Sequence, residues 1–160
     1  MRIGNGFDVH GLVANRKLVL GGVEIDYPFG LAGHSDADVL VHAVIDALLG
    51  AAGLGDIGKR FPDTDPKYKD ASSLRLLSDV ALEIISLGFQ ISNVDVTLFA
   101  QDPKIGPFRE KMSQNIADVI NVNRNRVNIK ATTTEGLGFV GRAEGLAAAA
   151  VALLKESEDV

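Results

Sequence analysis

Apolar and polar residues alternate in several short stretches of this chain and recur at helical spacing in others. Residues 2–10 read as a strand, and residues 16–20 with 23–25 read as a short hairpin turned by Gly21-Gly22. Pro28, Gly30 and Gly33 then mark a loop. A helix is predicted to open at Ser35, where Asp38 three residues on makes a near relative of the capping box, and to stop at Gly50. Val39, Leu40, Ala43, Val44, Ala47 and Leu48 form its apolar face. Asp38, His42 and Asp46 recur every four residues as a polar stripe beside that face. Residues 50–71 are rich in Gly, Asp and Pro and predict a long loop.

A second helix is predicted over 72–87, ending at Gly88, and a long strand over 89–100 with Val94, Val96 and Leu98 alternating. Pro103 and Pro107 bracket a loop, and Pro107 suits the first turn of a third helix whose buried stripe is Phe108, Met112, Ile116 and Val119. Residues 127–131 read as a short strand running into Thr132-Thr133-Thr134-Glu135-Gly136. Residues 144–154 are alanine-rich. Propensity favours a helix there, but a fully buried strand is equally continuous and apolar, so periodicity leaves both open. Residues 155–160 read as a frayed, solvated tail.

A length of 160 residues fits one domain over 1–160, and 46% apolar content suits a globular core. The net charge is −5 with no basic run, which argues against a nucleic-acid binder. There is no cysteine, so disulfides and thiolate metal sites are excluded. The N-terminus lacks the pattern of a secretory signal, and no apolar run is long enough to span a bilayer. A cytoplasmic protein without membrane or nucleic-acid partners is expected.

The first candidate chemistry is a metal site. In an extended strand Asp8 and His10 point to the same side while Phe7 and Val9 point to the other. His42 lies in the first predicted helix, flanked at four residues on each side by carboxylates, Asp38 and Asp46, that could orient its ring. One carboxylate and two imidazoles make a three-ligand set that leaves zinc an open position for substrate.

Further motifs follow in order: Gly33-His34-Ser35-Asp36-Ala37-Asp38, Gly55-Asp56-Ile57-Gly58, Phe61-Pro62-Asp63-Thr64-Asp65-Pro66, and Thr132-Thr133-Thr134-Glu135-Gly136-Leu137-Gly138. Together with Asp8-Val9-His10 they closely resemble the 2-C-methyl-D-erythritol 2,4-cyclodiphosphate synthase family of the non-mevalonate isoprenoid pathway, over essentially the whole chain. The resemblance implies an α+β subunit with a mixed four-stranded sheet, a β-α-β-α-β-β core, helices on one face and an N-terminal hairpin. It also implies a homotrimer around a threefold axis, with three active sites between subunits. The alanine-rich segment then becomes a strand near that axis, in keeping with small apolar residues packed on both faces.

The resemblance also implies site residues. Asp8, His10 and His42 would hold zinc, with Asp8 and His10 also facing the substrate. His34 and Ser35 would contact phosphate. Asp56, Ile57 and Gly58 would hold the methylerythritol portion, with Phe61, Pro62, Asp63, Thr64 and Asp65 closing over it. From the neighbouring subunit, Ala100, Gln101, Asp102, Pro103, Lys104, Ile105 and Gly106 would hold cytidine diphosphate, together with Ala131, Thr132, Thr133 and Thr134. Glu135 would bind a second divalent ion, magnesium or manganese. Phe7, Gly138, Phe139 and Arg142 look like an axial cavity that can hold an isoprenoid diphosphate; a core aromatic cluster with one arginine is the structural reading of the same residues. Asp70-Ala71-Ser72-Ser73 departs from the family's commoner Gly-Ala-Asp-Ser and is expected to lie away from the ligands.

The implied reaction closes a ring. The 2-phosphate of 4-diphosphocytidyl-2-C-methyl-D-erythritol 2-phosphate attacks the β-phosphorus of its own diphosphate, and CMP leaves. The nucleophile is largely ionised at neutral pH, since the second pKa of a phosphate monoester is about 6. Positioning and charge neutralisation therefore dominate, with His34 and Thr133 as the catalytic candidates. Two rivals remain open. A zinc hydrolase would use metal-bound hydroxide with Asp56 or Asp46 as base. A trimeric binding protein for isoprenoid diphosphates would hold structural zinc in a closed four-ligand site, whereas three ligands favour an open one.

Overall fold

A computed structural model describes residues 1–157. Its strands are β1 (Arg2–Ala14), β2 (Leu18–Leu20), β3 (Val23–Ile25), β4 (Phe29–Leu31), β5 (Phe89–Phe99), β6 (Val127–Thr132) and β7 (Gly145–Glu156). The helices are α1 (Val39–Ala52), α2 (Ile57–Arg60), α3 (Ser73–Ser86), α4 (Arg109–Val119) and α5 (Gly138–Gly141). The main sheet runs β4-β1-β7-β5-β6, and β2–β3 forms the separate hairpin. Only β5–β6 is parallel; the other pairs of the main sheet are antiparallel. The α+β class holds, with one correction: the sheet has five strands, not four. β1 continues past His10 to Ala14, and its end pairs with the short edge strand β4 in the segment read as a loop.

The alanine-rich segment is the central strand β7, hydrogen-bonded on one side to β1 and on the other to β5. Two long neighbours override its helical propensity. The strand reaches Glu156: Lys155 pairs with Gln90, Glu156 with Phe89, and the Ser157 N–H donates to the Gly88 carbonyl at 2.8 Å. The frayed-tail reading is thus corrected for 155–157, and 158–160 lie outside the described residues.

Helix α1 starts at Val39, not at Ser35, and Asp38 is its N-cap. Ala37 adopts φ +56°, which breaks the helical path, and the Ser35 hydroxyl instead accepts the Ala37 N–H at 3.1 Å. The helix runs through Gly50 to Ala52 and ends at Gly53 in the left-handed region. Asp38 is fully buried and accepts from the N–H groups of Val41, Gly21 and Gly22 at 3.1, 3.0 and 2.8 Å. It therefore ties the hairpin turn to the start of α1. Burial pushes its carboxyl up to about 6, against the pull of those three donors.

The three long helices lie on one face of the sheet, with α1 across β1 and β7, α3 beside α1 and β5, and α4 on β6. Almost every side chain of α1 is buried, as befits a helix apolar nearly all round. Its approach to β1 is so close that a Cβ at Gly4 would sit 2.1 Å from the Ala47 carbonyl, and one at Gly6 2.1 Å from the Ala43 carbonyl. The opposite sheet face is apolar and bare in the single chain: Ile3, Phe7, Val9 and Val151 are 72%, 59%, 41% and 42% exposed. No helix among the described residues is long and apolar enough to cross a membrane.

Gly6→Ala should lower stability by roughly 1–3 kcal/mol, because helix backbone has to retreat from the strand. A lower urea midpoint at unchanged m-value is the expected result, and a parental midpoint would show that the contact has slack.

Candidate active site

β1 projects Asp8 and His10 toward the helices, and the first turn of α1 places His42 above them. Asp8 Oδ2 lies 2.9 Å from His10 Nε2 and 3.0 Å from His42 Nδ1, and the two ring nitrogens are 3.1 Å apart. Ligands of a tetrahedral zinc at about 2.0–2.1 Å are separated by about 3.3 Å. The triad therefore needs to open by only a few tenths of an ångström to take an ion. The outer nitrogens are also occupied. His10 Nδ1 donates to the Ala32 carbonyl at 2.6 Å, which leaves Nε2 free as a ligand. His42 Nε2 sits 2.9 Å from Ser73 Oγ and 3.2 Å from Ser35 Oγ, which turns Nδ1 toward Asp8. Among the described residues no other group of three metal-ligating side chains converges.

Burial would raise the Asp8 carboxyl, but hydrogen bonds with His10 and His42 outweigh it and hold it well below the usual carboxylate range. Burial likewise opposes charge on His10, yet the Asp8 partner wins and raises its pKa above the ordinary 6.5.

The triad forms the floor of a cavity of about 280 Å³ lined also by Gly33, His34, Ser35, Ile57, Gly58, Phe61, Asp63, Tyr68 and Leu76. Its loops are held by specific bonds. Arg16 donates to the carbonyls of Gly33 and Ser35 at 2.7 and 2.5 Å. His34 Nε2 meets the Asp65 carbonyl at 3.2 Å, and the Asp70 N–H donates to the His34 carbonyl at 2.9 Å. Asp46 accepts the Ile57 N–H at 2.7 Å, and Asp56 caps α2 through the Lys59 N–H at 2.8 Å. Asp65 caps the following turn through the Lys67 N–H at 2.9 Å, while Pro62 and Thr64 lie outside the lining.

Two expectations about His42 are corrected. Neither flanking carboxylate touches it: Asp38 caps α1 and Asp46 anchors the loop at Ile57. The segment 70–73, expected away from the ligands, carries Ser73, which does touch it. Sequence reasoning also missed Tyr68 and Leu76. Tyr68 packs edge-to-face on Phe61 at 5.3 Å, and a seven-residue spacing across a loop offers no signal for that contact.

The remaining candidates gather elsewhere on the same chain. Residues 100–106 and 131–135 sit at the adjoining ends of β5 and β6, where the Ala100 N–H donates to the Thr132 carbonyl at 3.0 Å. The Asp102–Pro103 peptide is cis, Gln101 accepts the Gly136 N–H at 3.4 Å, and Lys104 and Gly106 are exposed. Ile105 is a core residue, so its contribution to a ligand would come from its backbone. Ala131 and Thr132 are exposed, and the Thr133 hydroxyl donates to Glu135 at 3.0 Å. None of these residues lines the triad's cavity within one chain. Phe7 and Phe139 line an apolar pocket of about 210 Å³ on the bare sheet face, joined by Phe99, Thr134, Val140 and Ala147. Thr134 thus belongs to that pocket, and its hydroxyl donates to the Leu137 carbonyl at 2.6 Å. Arg142 lies outside it, paired with Glu144 at 2.9 Å.

Comparison with known proteins bears on this arrangement. The YgbB family model matches residues 1–155. The chain is 62% identical over 152 residues to a 2-C-methyl-D-erythritol 2,4-cyclodiphosphate synthase of Alkaliphilus oremlandii, covering 95% of this chain and 97% of that one. Among solved structures, the bifunctional IspDF of Campylobacter jejuni superposes with a TM-score of 0.95 at 48% identity, covering 98% of this chain and 42% of that longer one. IspF of Plasmodium falciparum, solved as a CDP complex, superposes with a TM-score of 0.86 at 34% identity, covering 98% and 97% of the two chains. With its helix-covered sheet, its Asp-His-His floor and these matches along nearly its whole length, the chain belongs to the YgbB family.

Proposed function

We propose that this chain converts 4-diphosphocytidyl-2-C-methyl-D-erythritol 2-phosphate to 2-C-methyl-D-erythritol 2,4-cyclodiphosphate and CMP. The observation that carries the reading is the convergence of Asp8, His10 and His42 at the floor of a cavity walled by His34 and Ser35, in a chain whose relatives are named for that product. The three-ligand floor favours an open metal position over the closed site of a binding protein. We assign zinc to it, because a mixed nitrogen and carboxylate set at near-tetrahedral spacing suits that ion. When bound, zinc supplies Lewis-acid charge neutralisation at a phosphoryl oxygen.

The protein's own share is placement. The 2-phosphate forms a bond to the β-phosphorus, and the bond from that phosphorus to the CMP oxygen breaks. Both the nucleophile and the leaving group are phosphates, so no strong base or acid is needed. Because Ser35 Oγ accepts the Ala37 N–H, its own proton is available to a phosphoryl oxygen. Asp46 accepts the Ile57 N–H and does not line the cavity, so it holds the sugar loop in this reading. Phe61 and Tyr68 form an aromatic wall that excludes water, which would otherwise hydrolyse the same diphosphate.

The nucleotide half belongs to a neighbouring copy in this reading. Residues 100–106 and 131–133, with Thr133 as phosphate donor and Glu135 as ligand of a second divalent ion, magnesium or manganese, would complete the site across a homotrimer interface. The apolar sheet face at Ile3, Phe7, Val9 and Val151 supports burial around a threefold axis. The pocket at Phe7 and Phe139 would then lie near that axis, with room for an isoprenoid tail. A cytoplasmic setting suits the anionic substrate.

Phosphorus NMR of the product mixture should show a cyclic diphosphate with CMP; a linear phosphate would favour the hydrolase. His42→Ala should abolish zinc binding and CMP release while leaving the subunits assembled. Zinc affinity of the parental protein, measured by chelator competition from about pH 8 to about pH 5.5, should fall as pH falls through the raised pKa of His10. The sign follows because the ligand is the neutral ring, which protonation removes, whereas Asp8 remains ionised. Thr133→Val should slow turnover more than it weakens nucleotide binding. Mixed and reassembled with His42→Ala, it should recover roughly one quarter of parental activity through hybrid sites. Absence of recovery would count against sites shared between subunits.

A further inference from the structure

The hydroxyl of Ser73 stands between a metal-site imidazole and a carboxylate that belongs to neither ligand element. Its oxygen lies 2.9 Å from His42 Nε2, and its proton goes to Asp36 Oδ1 in a short hydrogen bond. Asp36 is itself fixed by donors: the Ser73 N–H reaches Oδ2 at 3.0 Å and the Asp38 N–H reaches Oδ1 at 3.2 Å. A carboxyl group surrounded by three donors acts as an acceptor. The Ser73 proton is therefore committed to Asp36, and only lone pairs of Ser73 face His42. His42 Nε2 then carries a proton toward Ser73, so Nδ1, which meets Asp8 Oδ2 at 3.0 Å, is the nitrogen left for an ion to take in place of that contact. Ser73 is wholly buried, so water cannot take its place. Asp36 also caps α3 from outside, since the side chain of Ser72 makes no capping bond. Loop 35–38, the start of α3 and the first turn of α1 are thereby joined at one point.

We propose that Ser73 and Asp36 are a positioning pair that fixes the ring orientation and tautomer of His42 for metal binding. Ser35, the other hydroxyl near Nε2, is farther away at 3.2 Å and faces the cavity, where it remains available to substrate. Hydrogen-bonded partners of this kind typically set metal affinity within a factor of 10 to 100. The inference rests on the metal assignment above and adds to it two residues that touch neither ion nor substrate.

The test is the zinc dissociation constant by chelator competition for the parental protein, Ser73→Ala, Ser73→Thr and Asp36→Asn. Ser73→Ala and Asp36→Asn should weaken zinc binding by roughly 10- to 100-fold. Ser73→Thr, which keeps the hydroxyl, should bind nearer the parental value, and melting of metal-free Ser73→Ala should stay near the parental temperature. A structural role alone would lower that melting temperature and leave Ser73→Thr without rescue, and would overturn the proposal. Independently of any variant, ring-nitrogen NMR of the zinc-loaded parental protein should show the His42 proton on Nε2, exchanging slowly with water; a proton on Nδ1 overturns the pair. Parental zinc affinity retained in Ser73→Ala overturns the pair alone, whereas a parental protein that binds no zinc overturns the metal assignment itself.

Discussion

The closeness of α1 to β1 is the constraint on which the rest of the molecule depends. A helix normally packs at a distance set by side chains on both surfaces. Here Gly4 and Gly6 remove the strand's share, and the helix backbone comes down onto the strand. Two residues along the strand from Gly6 stands Asp8, and one residue before Ala43 on the helix stands His42. The glycine contact therefore fixes the gap that the ligand atoms share, and the spacing of about 3 Å between them is a consequence of backbone packing. Alanines on β7 extend the same shallow surface under the helix.

On that frame, carboxylates act as fasteners for loops. Asp38 holds the hairpin turn, Asp46 holds the loop ahead of α2, and Asp36 holds the start of α3. Each accepts backbone N–H groups that would otherwise lack partners, and all three do so at helix N-termini, where negative charge is favoured. An acidic chain can in this way surround a cavity for an anionic ligand without repelling it. The charges of Asp36, Asp38 and Asp46 are spent on backbone donors, while three imidazoles and the Ser35 hydroxyl line the cavity beside Asp8 and Asp63.

Division of the candidate residues between two places on one chain gives the fold its functional logic. In the proposed reading the metal and sugar half is built by β1, α1 and the loop around α2, whereas the adjoining ends of β5 and β6 build the nucleotide half. Burial of the apolar sheet face between copies, with one copy's β5–β6 end meeting another's cavity, is the arrangement proposed above.

The sequence by itself determined the local chemistry and most of the elements. Strand spacing put Asp8 and His10 on one side and Phe7 and Val9 on the other, the Gly21-Gly22 hairpin was legible, and ordered motifs identified the family. What periodicity could not reveal were choices made by partners distant in the chain. Residues 145–156 became a strand because β1 and β5 supplied hydrogen bonds on both edges. Helix α1 starts at Val39, where its cap Asp38 also takes the N–H groups of Gly21 and Gly22 from a hairpin some seventeen residues earlier. Ser73 came to His42 from thirty-one residues away, through the packing of α3 beside α1. Local pattern records what each residue prefers; only the folded chain decides which donor meets which acceptor, since a buried polar group left unpaired costs about 1–3 kcal/mol.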